Sequence, residues 1–491
     1  MSEKDEKRNF GGAWVLSAAA LASKGIGALY RIPLTRILGA RGMGLYQSVY
    51  PLYALLVTFA TGGLGAAAAV ITAKEEHFPA FRAVLCSLAV TLPLAVLGAA
   101  LSRVVSAGAG AREAWFSLFL LCAFVPLSGV TALFRGYFQG RGVATHAAAA
   151  QLIEQVVKLL CGLLLSAFFG RFSPALAVAG AALGVGLSEG ASVLFSVLCY
   201  VGRKKPVRHR RKERVAFSVA AKADALASEA SAELFPSVLS GVQDEPSQEK
   251  RIPQYKSLFK KLYAVAVPVA AGLAVLPLCG ALDSFTVVNL LVRGGGDRAS
   301  ATALYGLVSG PVSALIALPA VFTLGLSSML LPRVSMLKKN DQPILPHVKR
   351  AFAFALFIGI VTGGGLFAFS PLVLRLLYGA DVPAGGTLIL RVCALSVPFV
   401  SVLQIATAVL QGVGKASAPF FALLFAAAVK ELLNLLLLPH VGAVGFALST
   451  VSFYLLACGI DLLVLSFLLR PRKETRADFS PKTGESTKDM P

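Results

Sequence analysis

Residues Cys122 to Gly142 read CAFVPLSGVTALFRGYFQGRG, and residues Ala394 to Gly414 read ALSVPFVSVLQIATAVLQGVG. The two stretches register at an offset of 272 residues. Pro126 meets Pro398, Gln139-Gly140 meets Gln411-Gly412, and Gly142 meets Gly414. The same offset carries Lys158 onto Lys430 and Glu189 onto Asp461, without a gap from about residue 121 to 200. Earlier in each half the match is weaker and shifted: Ala28-Leu29 resembles Ala281-Leu282, and Leu45-Tyr46 resembles Leu304-Tyr305. The chain reads as two related halves.

Outward from these stretches, apolar sequence dominates. Of 491 residues, 56% are hydrophobic and 14% charged, where a soluble domain carries roughly a quarter charged residues. Six apolar segments fall in the first half, near 11–35, 44–73, 80–107, 114–138, 147–170 and 175–201, and six in the second, near 258–292, 301–332, 347–370, 386–411, 416–438 and 441–469. Most are about 20 residues or longer, enough to cross a bilayer as a helix. With the N-terminus placed inside, 33 of the 46 Lys and Arg fall on the inner side and 10 on the outer. Cytoplasmic loops carry that excess in membrane proteins, so the bias predicts twelve spans with both termini cytoplasmic. Six spans per half is an even number, so both halves enter the membrane in the same sense, as parallel repeats. The expected fold is all-α and integral to the membrane, with about twelve transmembrane helices in two parallel six-helix lobes and a cleft between them. The divisions are 1–201 for the first lobe, 202–257 for a basic cytoplasmic linker, 258–470 for the second lobe and 471–491 for a polar tail expected to be disordered.

Several chemistries are excluded. The seven cysteines are scattered through apolar segments without a CxxC, which argues against disulfide frameworks and zinc sites. Gly412-Val413-Gly414-Lys415 lacks the earlier glycine and the following Ser/Thr of a phosphate-binding loop, so no ATP site of that kind is expected. The five histidines are dispersed and there is no HExxH. No cofactor, no metal and no enzymatic activity are expected. The net charge of +21 lies in cytoplasmic loops, where anionic membrane lipids rather than nucleic acid are the expected partners. The short charged N-terminus runs straight into the first apolar segment, which reads as a retained span. The central linker reads as a solvated connection between the lobes; in the alternative of a non-transporting scaffold, it is where cell-wall synthesis proteins would bind.

Charges inside the spans are costly, about 2.5–3.5 kcal/mol at mid-bilayer, and mark pathways or pairs. Lys24 and Arg31 lie seven residues, two turns, apart in the first span and can share a face. Arg31 and Arg36 straddle Pro33, expected to end or kink the helix. Lys158 and Lys430 hold equivalent places in the two lobes. Lys24, Arg31, Arg36, Lys158 and Lys430 are therefore the candidate substrate-binding residues, a basic cleft suited to an anion, with arginine able to grip phosphate bidentately. The acids Glu154, Asp283, Glu189 and Asp461 are candidates for ion coupling or structural pairing. Glu154 and Lys158, at i and i+4, can pair on one helix face.

Two stretches carry a family resemblance. Tyr30-Arg31-Ile32-Pro33-Leu34-Thr35-Arg36-Ile37-Leu38-Gly39-Ala40, with Gly44-Leu45-Tyr46-Gln47 and Tyr50-Pro51 after it, is one. Arg135-Gly136-Tyr137-Phe138-Gln139-Gly140, followed by Gln151-Leu152-Ile153-Glu154-Gln155-Val156-Val157-Lys158, is the other. Both resemble the stage V sporulation protein B branch of polysaccharide-biosynthesis membrane proteins, in the superfamily that includes MurJ, oligosaccharide-lipid flippases and MATE antiporters. The resemblance implies a V-shaped two-lobed transporter in the bacterial cytoplasmic membrane. Its implied substrate is an undecaprenyl-diphosphate-linked sugar, lipid II among them, for peptidoglycan, with first-span basic residues lining the cavity. The alternative on the same architecture is a cation-coupled multidrug exporter of the MATE type, which needs acids rather than bases at its site. Lys24 and Arg31 argue against that reading and Asp283 leaves it open.

Overall fold

The structure is a computed structural model that describes residues 3–74, 78–202, 255–340, 342–379 and 382–469. The central segment and the C-terminal tail, for which a linker and disorder are expected, lie outside the described residues apart from the segment's edges. Among the described residues the chain is helical between its turns and has no strand.

Among the described residues eleven helical stretches are long and apolar enough to cross a membrane, and the first of them, Gly25–Ala73, has 49 residues. Straight, it would measure about 74 Å, more than twice the ~30 Å hydrocarbon core. It is not straight. Gly39 has φ 65° and ψ −175° inside the long helix Glu3–Thr61. The ammonium of Lys158 lies 5.8 Å from the Tyr30 ring centre and 5.5 Å from that of Tyr50. In one continuous helix those two tyrosines would stand about 30 Å apart, so the chain folds back at Gly39 and the eleven stretches make twelve spans. The break expected at Pro33 is displaced: the helix continues through Pro33 and turns at Gly39. A proline removes one backbone bond, which neighbouring helices in a membrane can compensate. A left-handed residue redirects the whole chain, and glycine adopts that conformation cheaply.

Repeat-related breaks recur. The fourth span is divided at Phe124, just before Pro126, and the tenth at Leu395–Ser396, just before Pro398. The eighth span passes through one π-helical turn, Val308–Val312, that contains Pro311. The outward surface is a belt of exposed apolar side chains such as Leu164, Leu194 and Phe357, as lipid requires. Each half has its own packed core, one around Tyr46, Val49, Leu121 and Val185, the other around Tyr305, Leu307, Ile389 and Phe446. The protein is a multi-pass membrane protein.

The halves meet closely at the end of the bundle that carries the Gly39 turn, here called the hairpin end. Gly44 and Gly306 face each other with no side chain between them, and a Cβ on either would run into the other helix's backbone. Around them, Arg36 donates to the Leu376 carbonyl (2.8 Å), Asn289 to that of Gly108 (2.8 Å) and Tyr305 to that of Gln47 (3.4 Å). Towards the end that carries the chain termini, Leu258, Leu262 and Ala266 of the seventh span pack on Leu64, Ala67 and Ile71 of the second.

Candidate functional site

A polar site lies at mid-membrane where spans one, two, five and eight converge. Lys158 sits near the middle of the helix Ala144–Gly170. Its ammonium donates to the Tyr50 hydroxyl at 3.5 Å and stands near the faces of Tyr30 and Tyr50, a cation–π arrangement. Tyr50 is held by stacking on Tyr46, with ring centres 5.1 Å apart. Tyr30 reaches this position because position 162 is glycine: a Cβ there would lie 2.7 Å from the tyrosine oxygen. The Tyr30 hydroxyl is buried without a hydrogen-bond partner.

Arg31, one residue on, crosses to the other half and donates to the Gly310 carbonyl at 3.2 Å, inside the π-turn of the eighth span. A π-turn re-aims backbone groups and recurs at functional sites. Arg31 and Lys158 both stand within electrostatic range of the Tyr50 hydroxyl. Among the described residues neither cation has a carboxylate within 4.0 Å. Two half-buried positive charges thus stand beside Tyr50, one of them, Arg31, reaching across to the other half.

The expected i, i+4 pairing of Glu154 with Lys158 does not occur. Glu154 pairs instead with Arg135 of the fourth span and also accepts from Gln155 at 3.2 Å. Helix packing brings a second basic residue against the same carboxylate, which leaves Lys158 free of it. Glu189, a candidate for ion coupling or structural pairing, accepts from Ser128 at 3.0 Å. Arg36 is exposed at the hairpin end and bonds the Leu376 carbonyl, so it ties the halves together rather than lining the central space. Lys24 stands on the first helix, and its side chain lies outside the described residues.

The second half reverses the pattern. Lys430 is 4% exposed. It binds both carboxylate oxygens of Asp283, with Glu431 3.9 Å away, and Asn434 adds a 3.1 Å bond to Asp283. Its charge is neutralised in place, so the candidate substrate-binding Lys430 stands here as one member of a buried ion pair. Cys279, Asp283 and Glu431 stand close enough to share a metal ion, but Lys430 already binds Asp283 there, and a buried ammonium among carboxylates repels a second cation. Asp461 is fully buried and accepts from Thr407 at 3.0 Å.

The contrast has a readable origin. The shifted register that sets Ala28-Leu29 beside Ala281-Leu282 sets Tyr30 beside Asp283. Each half carries the equivalent lysine, but one meets a tyrosine and the other an aspartate. Reading one residue past the Ala-Leu match would have flagged Tyr30. Nothing in the sequence signals the Arg135–Glu154 pair or the acceptor at Gly310.

A family model described as polysaccharide biosynthesis protein matches residues 11–338, and one described as lipid II flippase MurJ matches residues 313–479. The chain is 25% identical over 474 residues to stage V sporulation protein B of Bacillus subtilis, covering 93% of this chain and 83% of that protein. It is 23% identical over 472 residues to the lipid II flippase MurJ of the same organism, covering 90% and 80%. Its fold matches an inward-facing multidrug resistance MATE family transporter of the MOP superfamily, with a TM-score of 0.65 at 15% identity over 90% of this chain and 98% of that one.

Proposed function

We propose that this chain, which belongs to the polysaccharide biosynthesis protein family, moves an undecaprenyl-diphosphate-linked cell-wall precursor, lipid II or a related lipid-linked glycan, across the bacterial cytoplasmic membrane by alternating access. The observation that carries the reading is the pair of cations, Arg31 and Lys158, which among the described residues have no carboxylate within 4.0 Å and flank Tyr50. An ammonium and a guanidinium kept without counter-ions favour a ligand that brings its own negative charge. The diphosphate would sit against Lys158 and Arg31, its approach marked by the unpartnered Tyr30 hydroxyl, while the polyprenyl chain stays in the lipid beside the bundle. Arg31 would exchange the neutral Gly310 carbonyl for phosphate oxygens, which are stronger acceptors. Because Arg31 is also a tie between the halves, ligand binding and the packing of the halves are coupled at one side chain. Lys24, two turns before Arg31 in the sequence, is a further candidate for this role, and the termini lie in the cytoplasm, the side that holds most of the Lys and Arg. The protein acts as a transporter, with no bond made or broken. The exporter reading fits this site less well, because a cationic drug would meet two positive charges in the first half.

Lys158→Gln and Arg31→Ala each remove one charge-assisted contact, worth about 1.5–3 kcal/mol. In proteoliposomes each should slow transbilayer movement of lipid II roughly ten- to hundredfold, with insertion and monodispersity unchanged. Tyr30→Asp should do the same by another route, giving Lys158 the counter-ion that Lys430 has in the second half. Undiminished movement in all three variants refutes the assignment.

A further inference from the structure

At the hairpin end a crevice of about 370 Å³ runs between the seventh and eleventh spans. Its apolar wall includes Phe285 and Leu435, its polar wall Thr286 and Asn289, and its rim Arg293 and Arg298. Arg293 ends the helix Val275–Arg293, and Arg298 begins the next one after the loop that follows. Both are exposed. Phe285 lies eight residues below Arg293, about 12 Å deeper along the helix. Guanidinium groups therefore stand where a membrane surface would be, over a slot that descends into the apolar layer. The slot opens sideways to lipid, because Leu282, Leu432 and Leu436 beside it on the same two helices are exposed apolar residues.

The charges at the rim are unspent. Among the described residues neither Arg293 nor Arg298 has a carboxylate within 4.0 Å. Asp297, between them in sequence, is turned to the backbone amides of Ala299 and Ser300. Arg298 makes one long bond, 3.5 Å, to the neutral Gly110 carbonyl. A phosphate oxygen is the better acceptor for a guanidinium, and the planar fork suits it bidentately.

We infer that this crevice is a binding site for a phosphate-headed lipid, with the headgroup on Arg293 and Arg298 and the first part of the chain against Phe285 and Leu435. The shape and charge are shared by an anionic phospholipid and by a polyprenyl diphosphate. The site is separate from the central one: its residues come from the hairpin end of the second half, and none is Arg31 or Lys158.

The test uses the full chain, purified in detergent and titrated by native mass spectrometry with phosphatidylglycerol, with sugar-free polyprenyl diphosphate and with phosphatidylcholine. It is run on wild type and on the Arg31→Ala/Lys158→Gln background, which removes the central site. In both, at least one of the two phosphate-headed anionic lipids should bind about tenfold more tightly than phosphatidylcholine, and the tighter of the two identifies the source. On the Arg31→Ala/Lys158→Gln background, Arg293→Gln/Arg298→Gln should abolish that preference, whereas Arg112→Gln/Arg171→Gln, which removes two other exposed arginines of the same end, should keep it. An unchanged preference in the crevice variant, or an equal loss in the control pair, overturns the site. Binding is read without transport, so this outcome is independent of any flipping result.

Discussion

Asp283→Ala will destabilise the protein by about 3–5 kcal/mol, the cost of stranding one member of a buried ion pair. Lys430 is 4% exposed and Asp283 8% exposed, and both lie within helices that cross the membrane. Without Asp283 the ammonium keeps Glu431 at 3.9 Å, the sulfur of Cys279 at 3.6 Å and the face of Phe446 at 5.1 Å. Lys430→Met should be destabilising as well, because it leaves the Asp283 carboxylate buried without its cation. The double variant Asp283→Leu/Lys430→Met should recover most of the loss, since replacing a whole buried pair with apolar residues is often neutral or better. Unfolding in mixed micelles measures all three, and their order decides the matter. An Asp283→Ala protein within about 0.5 kcal/mol of wild type, inside the usual effect of an inconsequential surface change, would show that the pair is not a buried neutralising contact.

Gly44→Val or Gly306→Val will keep the hairpin end from closing. A Cβ at position 44 meets the Thr302 carbonyl oxygen, its carbonyl carbon (2.6 Å) and its methyl group (2.7 Å), while one at position 306 meets the backbone of Gly44 and Met43. The obstruction is backbone on both sides, so no side-chain rotation relieves it. Small residues permit such close helix approach in membranes, and overpacking costs about 1–3 kcal/mol. That energy falls on the closed arrangement alone, so its population should drop roughly ten- to hundredfold, carrying transport with it. Distances between spin labels on the Gly110 and Gly295 loops should lengthen in the variants. Gly364→Ala is the matched control: nothing lies within 4 Å of the added atom, and helix propensity favours alanine by roughly 0.5–1 kcal/mol. Wild-type label distances and transport in Gly44→Val would remove the close approach from the mechanism.

Much of the architecture could be read before any coordinates. Length and apolarity of the spans are properties of each segment taken alone, because a helix satisfies its own backbone in lipid and needs only enough apolar residues to reach across. The duplication is written in the register of Pro126, Gln139 and Lys158 with their partners. It carries the parity of the halves with it, and so the parallel repeat. The basic character of the first span was equally plain at Arg31.

The partners of those charges were not legible. Lys158 and Lys430 look alike in sequence, yet one faces two tyrosines and the other binds Asp283. Glu154 stands one turn from Lys158 and pairs with Arg135, nineteen positions back in the chain. The chain by itself determined how many helices cross the membrane, that they form two copies of one plan, and which of them hold ionisable groups. Only the packed structure decided which ionisable groups cancel and which stay available. Electrostatic pairing acts over a few ångströms in space, and residues that close are set by how separate helices lie against one another, not by spacing along any one of them.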